Sequence, residues 1–456
     1  MELGIGYFGD ARSQRNGELI MQRVVWRETI CLRNLADNRA EQVKLRRFLE
    51  NDSVTVEEMV SSRAMFVAAA AMGRHVLAIQ DTSEINYQAQ SGRKHGLGKV
   101  GNGTDAGLFV HPVIAVDAQT QECFGLVDAQ VWCRTKRKAK NYKKLPIEKK
   151  ESYRWLKGGN QAKAVLAEAA MVTVLDDREG DIYEKLDRLP DHRTHLLTRA
   201  SRDRVLAGGG RLFKTMDGMI ESHRYLLEVP ERSGKRTARL AWMAVRFGRV
   251  RIRRPVNCSD PNAPEEIELF AIEVRELNPP SGEQQIMWRL LTTHKVETVA
   301  QALAVIGWYR QRWHIEQLFR TLKRQGLRIE ESVVEDGEAL KKLAVIALIA
   351  ATITMQLVLV WKAGSQGPLA NRVFDDEQIR VLHALQQTVQ GRTEKQQNPF
   401  EPESLAWAAW TIARLGGWTG YNSDKSRGPI TMRDGLERFN AMVDGFRLAV
   451  QHVCPS

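Results

Sequence analysis

The sequence predicts an α/β fold with helical regions at both ends, and three observations predict it. Short apolar runs that end in acid, VLAIQD and VTVLD, recur with a helical stretch between them. A block of period-two strands interrupts that alternation. Both ends of the chain carry apolar residues at helical spacing. Alternating strands and helices are the signature of an α/β sheet.

Residues 1–65 read as short helices, with Thr55 and Glu58 spaced as a capping box. Their arginines (Arg23, Arg27, Arg33, Arg39, Arg46 and Arg47) fit either a phosphate-gripping face or a solvated one. From Val76 come three strand-like runs, VLAIQDTS, GLFVHPVIAVD and CFGLVDAQVW. The very basic stretch RTKRKAKNYKK, 134–144, follows, read as a DNA-backbone contact or a loop. The helical GNQAKAVLAEAA then leads into MVTVLDD and a further helix, IYEKLDRL. Residues 190–295 alternate with period two, broken by ERSGK, NCSDPNAP and NPPSGE, and predict a β meander without helices. MWRLLTTH resumes the α/β pattern, and one long helix is expected over 298–324. Residues 403–450 read as two or more helices.

The chain has 456 residues, 43% of them hydrophobic and 27% charged, enough for a sizeable core in about two to four domains. A formal charge of +12 points to a polyanionic partner, nucleic acid before a membrane surface. Five cysteines without metal or disulfide spacing fit a reducing cytosol. The start, MELGIGYFGDARSQR, is too polar for a secretory signal. Residues 343–361 carry no charge and approach the length of a membrane span. They include Thr352, Thr354 and Gln356, and a helix buried all round is the expectation.

YRQRWHIEQLFRTLKRQ, from Tyr309, keeps a single carboxylate, Glu316, among basic and aromatic residues. On one continuous helix Tyr309, Arg312, Glu316 and Lys323 fall within about a 60° arc. Ile315, Leu318 and Leu322 then face a core. Asp81 and one of Asp176 and Asp177 close strands, where ligands bind in α/β sheets. Neighbours on a strand face opposite ways, so only one of that pair can share a site with Asp81. A helix laid across the sheet would bring Glu316 to them. Three such carboxylates repel one another unless divalent metal is present.

The spacing Y-x2-R-x3-E-x6-K, met by Tyr309, Arg312, Glu316 and Lys323, resembles the signature of Tn-five-type transposases in the IS-four group of DDE enzymes. IQDTS around Asp81, DREGDI at 177–182, LGKVG, KESYRW and IARLGGW are also similar to that group. The resemblance implies a ribonuclease-H-like core interrupted by a β-strand insertion, with helical terminal domains. The implied parts are a DNA-binding region over 1–65, the core over 66–189 and 288–365, the insertion over 190–287, and a dimerisation region over 366–456. It selects Asp177, and implies an Asp81, Asp177 and Glu316 triad holding two Mg²⁺ ions, with Mn²⁺ able to substitute. Tyr309, Arg312 and Lys323 would contact phosphates of transposon-end DNA, Trp288 would stack on a flipped base, and Arg199 would touch DNA from the insertion. Few residues precede FGDARSQR, which implies a shortened end-recognition region. The implied activity is cut-and-paste transposition in a bacterial cytoplasm. A homodimer on double-stranded DNA would nick it, form and open a hairpin, and transfer a strand to target DNA. The alternative is a catalytically silent relative that binds DNA and pairs with an active enzyme.

Overall fold

The structure is a computed structural model, and it describes residues 4–134, 142–231, 236–362, 364, 367–421 and 427–452. Most of the basic segment 134–144, residues 135–141, lies outside them, as does Cys454. Four helices open the chain: α1 (Ala11–Arg27), α2 (Leu32–Leu35), α3 (Arg39–Glu50) and α4 (Val56–Ala71). Asp10 and Asn38 cap α1 and α3 by accepting from free backbone N–H groups. At α4 only half of the expected box forms. The Thr55 hydroxyl takes the Glu58 N–H at 3.2 Å, but the Glu58 carboxylate accepts from the N–H groups of Tyr7 and Phe8, each at 2.7 Å. Glu58 therefore ties the N-terminal strap down instead of closing the cap.

The sheet begins with β1 (His75–Gln80), β2 (Ser83–Asn86), β3 (Gly98–Val100), β4 (Asp105–Asp117) and β5 (Cys123–Trp132). Helix α5 (Arg154–Val165) crosses to β6 (Met171–Asp176), and α6 (Tyr183–Arg188) crosses to β7 (Thr194–Arg199). Strand β1 is antiparallel to β4, β4 is antiparallel to β5, and β1, β6 and β7 are parallel. The central order is β5-β4-β1-β6-β7, a mixed α/β arrangement compatible with a ribonuclease-H-like DDE domain. Apolar side chains leave β1 alternately on two faces. Leu77 and Ile79 enter one buried cluster and Val76 and Ala78 the other, because both faces of the sheet are covered.

After β7 the chain forms α7 (Leu212–Asp217), a short helix inside the expected meander, then β8 (Glu221–Val229), β9 (Arg239–Arg253), β10 (Glu266–Glu276) and β11 (Met287–Thr292). Strand β11 pairs with β7, so these strands prolong the one eleven-stranded sheet. Strand β7 itself belongs to the parallel series. Beyond Arg199 the chain leaves this series and returns to β7 only through β11.

The helix expected over 298–324 is two helices, α8 (Val299–Arg310) and α9 (Trp313–Lys323). Gln311, Arg312, His314 and Ile315 bond back three residues, a tighter winding that breaks the α-helical run at Gln311–Arg312. α10 (Gly337–Leu359) is long and apolar enough to cross a membrane, yet 94% of its most apolar window is buried inside the molecule. It packs on β5 and on α1, α3, α4 and α9. Its buried polar side chains find partners: Thr352 donates to the Ile349 carbonyl at 2.7 Å, and Gln356 to that of Phe124 on β5 at 3.0 Å. Helices α11 (Asp376–Val389), α12 (Leu405–Leu415) and α13 (Pro429–His452) complete the chain. α12 and α13 cross closely: a Cβ at Gly435 would meet the Ile412 carbonyl oxygen at 2.0 Å.

Under the sheet, His75 and His294 share the Thr173 hydroxyl at 2.8 and 2.7 Å, and His195 stacks on His294. Burial, aided by the mutual repulsion of these rings, pulls His75 down to about 4 and His294 down to about 3. A depressed base is protonated more readily in the unfolded chain, so the stability it contributes is lost as pH falls below the ordinary histidine value of about 6.5. Melting temperatures at about pH 7 and about pH 5 check this. His294→Gln, which can keep the bond to Thr173, is expected to lose less stability over that interval than the wild type. Equal losses would contradict it.

Candidate active site

Ile79 lies beside Leu175 in the parallel pairing of β1 and β6. Two residues further on, Asp81 and Asp177 leave the sheet side by side at the carboxyl ends of their strands. Glu316 stands in the first turn of α9. The Arg312 guanidinium joins two of the three: Nη1 donates to Asp81 Oδ2 at 3.1 Å, and Nη2 pairs with Glu316. Burial first, then the charge of Asp177, pushes Asp81 up to about 7; Glu316 adds to this, while Arg312 and the Thr82 N–H oppose it. The carboxylates from three distant segments therefore feel one another in a half-covered place.

A metal fits this donor set. Three carboxylates offer the hard oxygen ligands that Mg²⁺ and Mn²⁺ take. Among the described residues no three His, Cys, Asp or Glu side chains stand close enough to hold an ion as they are. The cation that Asp81 and Glu316 share is Arg312.

Asp176 and Asp177 do point apart. Asp176 is fully buried, paired with the equally buried Lys185, and accepts from Gln80 Nε2 at 2.8 Å. Burial pulls the Lys185 ammonium well below its usual value. Asp177 is half-buried and accepts the Glu179 N–H at 2.7 Å, capping a short 3-10 turn. Gly180 permits that turn, because a Cβ there would come within 2.4 Å of the Asp176 Cβ.

The other expected residues sit as follows. Tyr309 is buried, not displayed on a surface stripe: the break at Gln311–Arg312 turns it into the core, and only 6% of it is exposed. Its ring lies 6.0 Å from that of Trp288, itself half-buried on β11. Arg199 and Arg312 lie against its hydroxyl. Arg199 ends β7, which pairs with both β6 and β11, and donates to the Met287 carbonyl at 2.8 Å. Lys323 is not brought to the carboxylates. It sits seven residues beyond Glu316, about 10 Å along the helix, with Nζ 3.5 Å from Glu330. Glu179 and Asp181 flank the following helix: Glu179 pairs with Arg154, and Asp181 is buried against Arg204 and Ser201.

A buried polar network that sequence reasoning missed underlies the site. Thr82, whose N–H donates to Asp81 at 2.7 Å, has its hydroxyl 2.8 Å from both His111 Nδ1 and Arg154 Nε. His111 Nε2 lies 3.0 Å from Gln80 Oε1, and Gln80 reaches Asp176. The neighbours of Asp81 are thereby tied to the neighbour of Asp177. A Cβ at Gly158 would stand 2.6 Å from Gln80 Oε1, so a larger residue there would have to displace the Gln80 amide. The available signal was the presence of Gln80 and His111 inside otherwise apolar stretches.

A family model described as the transposase DDE domain matches residues 109–353, more than half of the chain. The match starts in β4, after Asp81, and takes in Asp177 and Glu316. With a mixed sheet of compatible order and acidic residues at its strand ends, the chain belongs to the transposase DDE domain family.

Proposed function

We propose that this chain is an active transposase that moves an insertion sequence by cutting and pasting DNA, as the Tn-five-type enzymes of the IS-four group do. One observation carries the reading: Asp81 and Asp177 leave the adjacent strands β1 and β6 side by side, and Arg312 bridges Asp81 to Glu316. Asp81, Asp177 and Glu316 would hold two Mg²⁺ ions, which when bound supply Lewis-acid activation of the attacking oxygen and stabilise the leaving one. No covalent protein intermediate is needed, which suits carboxylates instead of a serine or tyrosine nucleophile.

The chain's own groups position the DNA. Arg312 turns from the carboxylates to a phosphate of the transposon end, a fork well matched to such an anion. Tyr309, held in the core, orients Arg312 and Arg199 toward the same strand. Trp288 offers its exposed part to an unstacked base, and Lys323 neutralises a phosphate further along the backbone. The successive products are a nicked end, a hairpin, a reopened blunt end and the joined target.

In domain terms the ribonuclease-H-like core holds the carboxylates, the strands between β7 and β11 are its insertion, and residues 1–65 grip the ends. A homodimer pairs two ends through the C-terminal region. Support comes from α13, where Met442, Phe446 and Val450 are exposed at four-residue spacing. The protein acts in the bacterial cytoplasm, at the nucleoid.

Asp177→Ala is expected to reduce Mg²⁺-dependent nicking of DNA carrying the element's own ends by at least about 100-fold, with end binding changed only a few-fold. A mutant that still cuts at the wild-type rate would remove Asp177 from the site. Thr82→Val keeps the N–H bond to Asp81 but frees His111 and Arg154 from the hydroxyl. It is expected to weaken Mn²⁺ binding by about tenfold, read by titration of the protein on uncleaved end DNA. Unchanged affinity would show that the network does not set the carboxylates.

A further inference from the structure

A groove leaves the carboxylate cluster at Arg178, the residue after Asp177. Its first part, a cavity of about 420 Å³, is lined by Lys150, Arg154, Arg178 and Arg202 among others. The second, of about 1080 Å³, is lined by Arg202, Arg211, Arg253 and Arg254. The two share Arg202, Arg204, Pro255, Asn257 and Cys258, so they are continuous.

Charge in this groove is unbalanced. Four of its acids are held in ion pairs, Glu151 with Arg134, Glu179 with Arg154, Asp181 with Arg204 and Asp260 with Arg188, Glu184 is buried, Asp203 accepts the Phe213 N–H, and Glu265 is exposed, so the lining keeps a modest basic excess. Among the described residues, Arg178, Arg202 and Arg253 are exposed and make no ion pair or side-chain hydrogen bond. Three free guanidinium groups along one channel favour a polyanion, since each phosphate neutralised releases counterions. The floor beneath them is fixed. Arg204 is buried against Asp181, Arg254 donates to the Ala263 carbonyl at 2.7 Å, and Ser259 donates to that of Leu145 at 2.9 Å. At the far rim Val256 is fully exposed, directly after Arg253, Arg254 and Pro255. An apolar tip beside arginines suits the minor groove of a bent duplex.

The groove adjoins Asp177, whereas Trp288 and Tyr309 lie together beside Arg312, which faces Asp81 and Glu316. An enzyme that joins one DNA to another must bring a second backbone to the same carboxylates. We propose that the groove from Arg178 past Arg202 to Arg253 and Val256 seats the target DNA duplex during strand transfer. This rests on the reading of the chain as an active transposase.

The test uses the full chain and compares Arg202→Glu/Arg253→Glu with the charge-keeping Arg202→Lys/Arg253→Lys. Three quantities are read: nicking of uncut ends, transfer of precut ends into a plasmid, and binding of a duplex without end sequence to the preformed end complex. The glutamate pair is expected to lower transfer and duplex binding by about tenfold each, with nicking within about twofold of wild type, and the lysine pair to restore most of both. Unaltered transfer and duplex binding would overturn the proposal. So would an equal fall in nicking, which would assign the groove to the ends themselves or to stability. Should the wild type neither cut nor join, the transposase reading fails, and duplex binding still decides whether this groove holds DNA.

Discussion

The Arg312 guanidinium bridging Asp81 and Glu316 is the interaction on which the site depends. Carboxylates drawn out of water toward one another raise their own cost of ionisation, as Asp81 shows by its rise to about 7. Without a shared cation the three would spread apart or take up protons. Arginine satisfies two of them at once because its planar fork presents parallel donors, which a lysine could not match. The same fork suits a phosphate, which underlies the proposed turn of Arg312 to the DNA backbone.

The fold supplies this meeting through two devices. Parallel pairing of β1 and β6 puts Asp81 and Asp177 at adjacent strand ends, and the Gln80–Asp176 bond, continued through His111 and Thr82, fixes their spacing from below. The break at Gln311–Arg312 starts α9 afresh, with Glu316 in its first turn and Arg312 just ahead of it. Leu318 and Leu322 anchor that helix in the core beside α10, so Glu316 is held by burial of the opposite face.

Much of this was legible in the residues. Acids closing apolar runs gave the strand ends, period-two alternation gave the long strands, and the uncharged 343–361 segment gave the central buried helix. What escaped reading depended on contacts between distant segments. The tight turn at Gln311 leaves no mark in a sequence whose apolar spacing continues through it, and so Tyr309 looked exposed. Glu58 sits at a good capping position, yet tertiary partners, the Tyr7 and Phe8 N–H groups, hold it more strongly. Strand β7 seemed part of a separate meander because its parallel pairing with β6 is decided by α6 between them. The buried Asp176–Lys185 pair could not be inferred, since a lone lysine on a short helix is ordinarily solvated.

The most direct measurement is anomalous diffraction from crystals of the chain bound to its end DNA and soaked in Mn²⁺. The account predicts manganese peaks ringed by the carboxylates of Asp81, Asp177 and Glu316, with Arg312 turned onto a DNA phosphate. Manganese bound elsewhere, or Arg312 still bridging Asp81 and Glu316 with DNA in place, would contradict it.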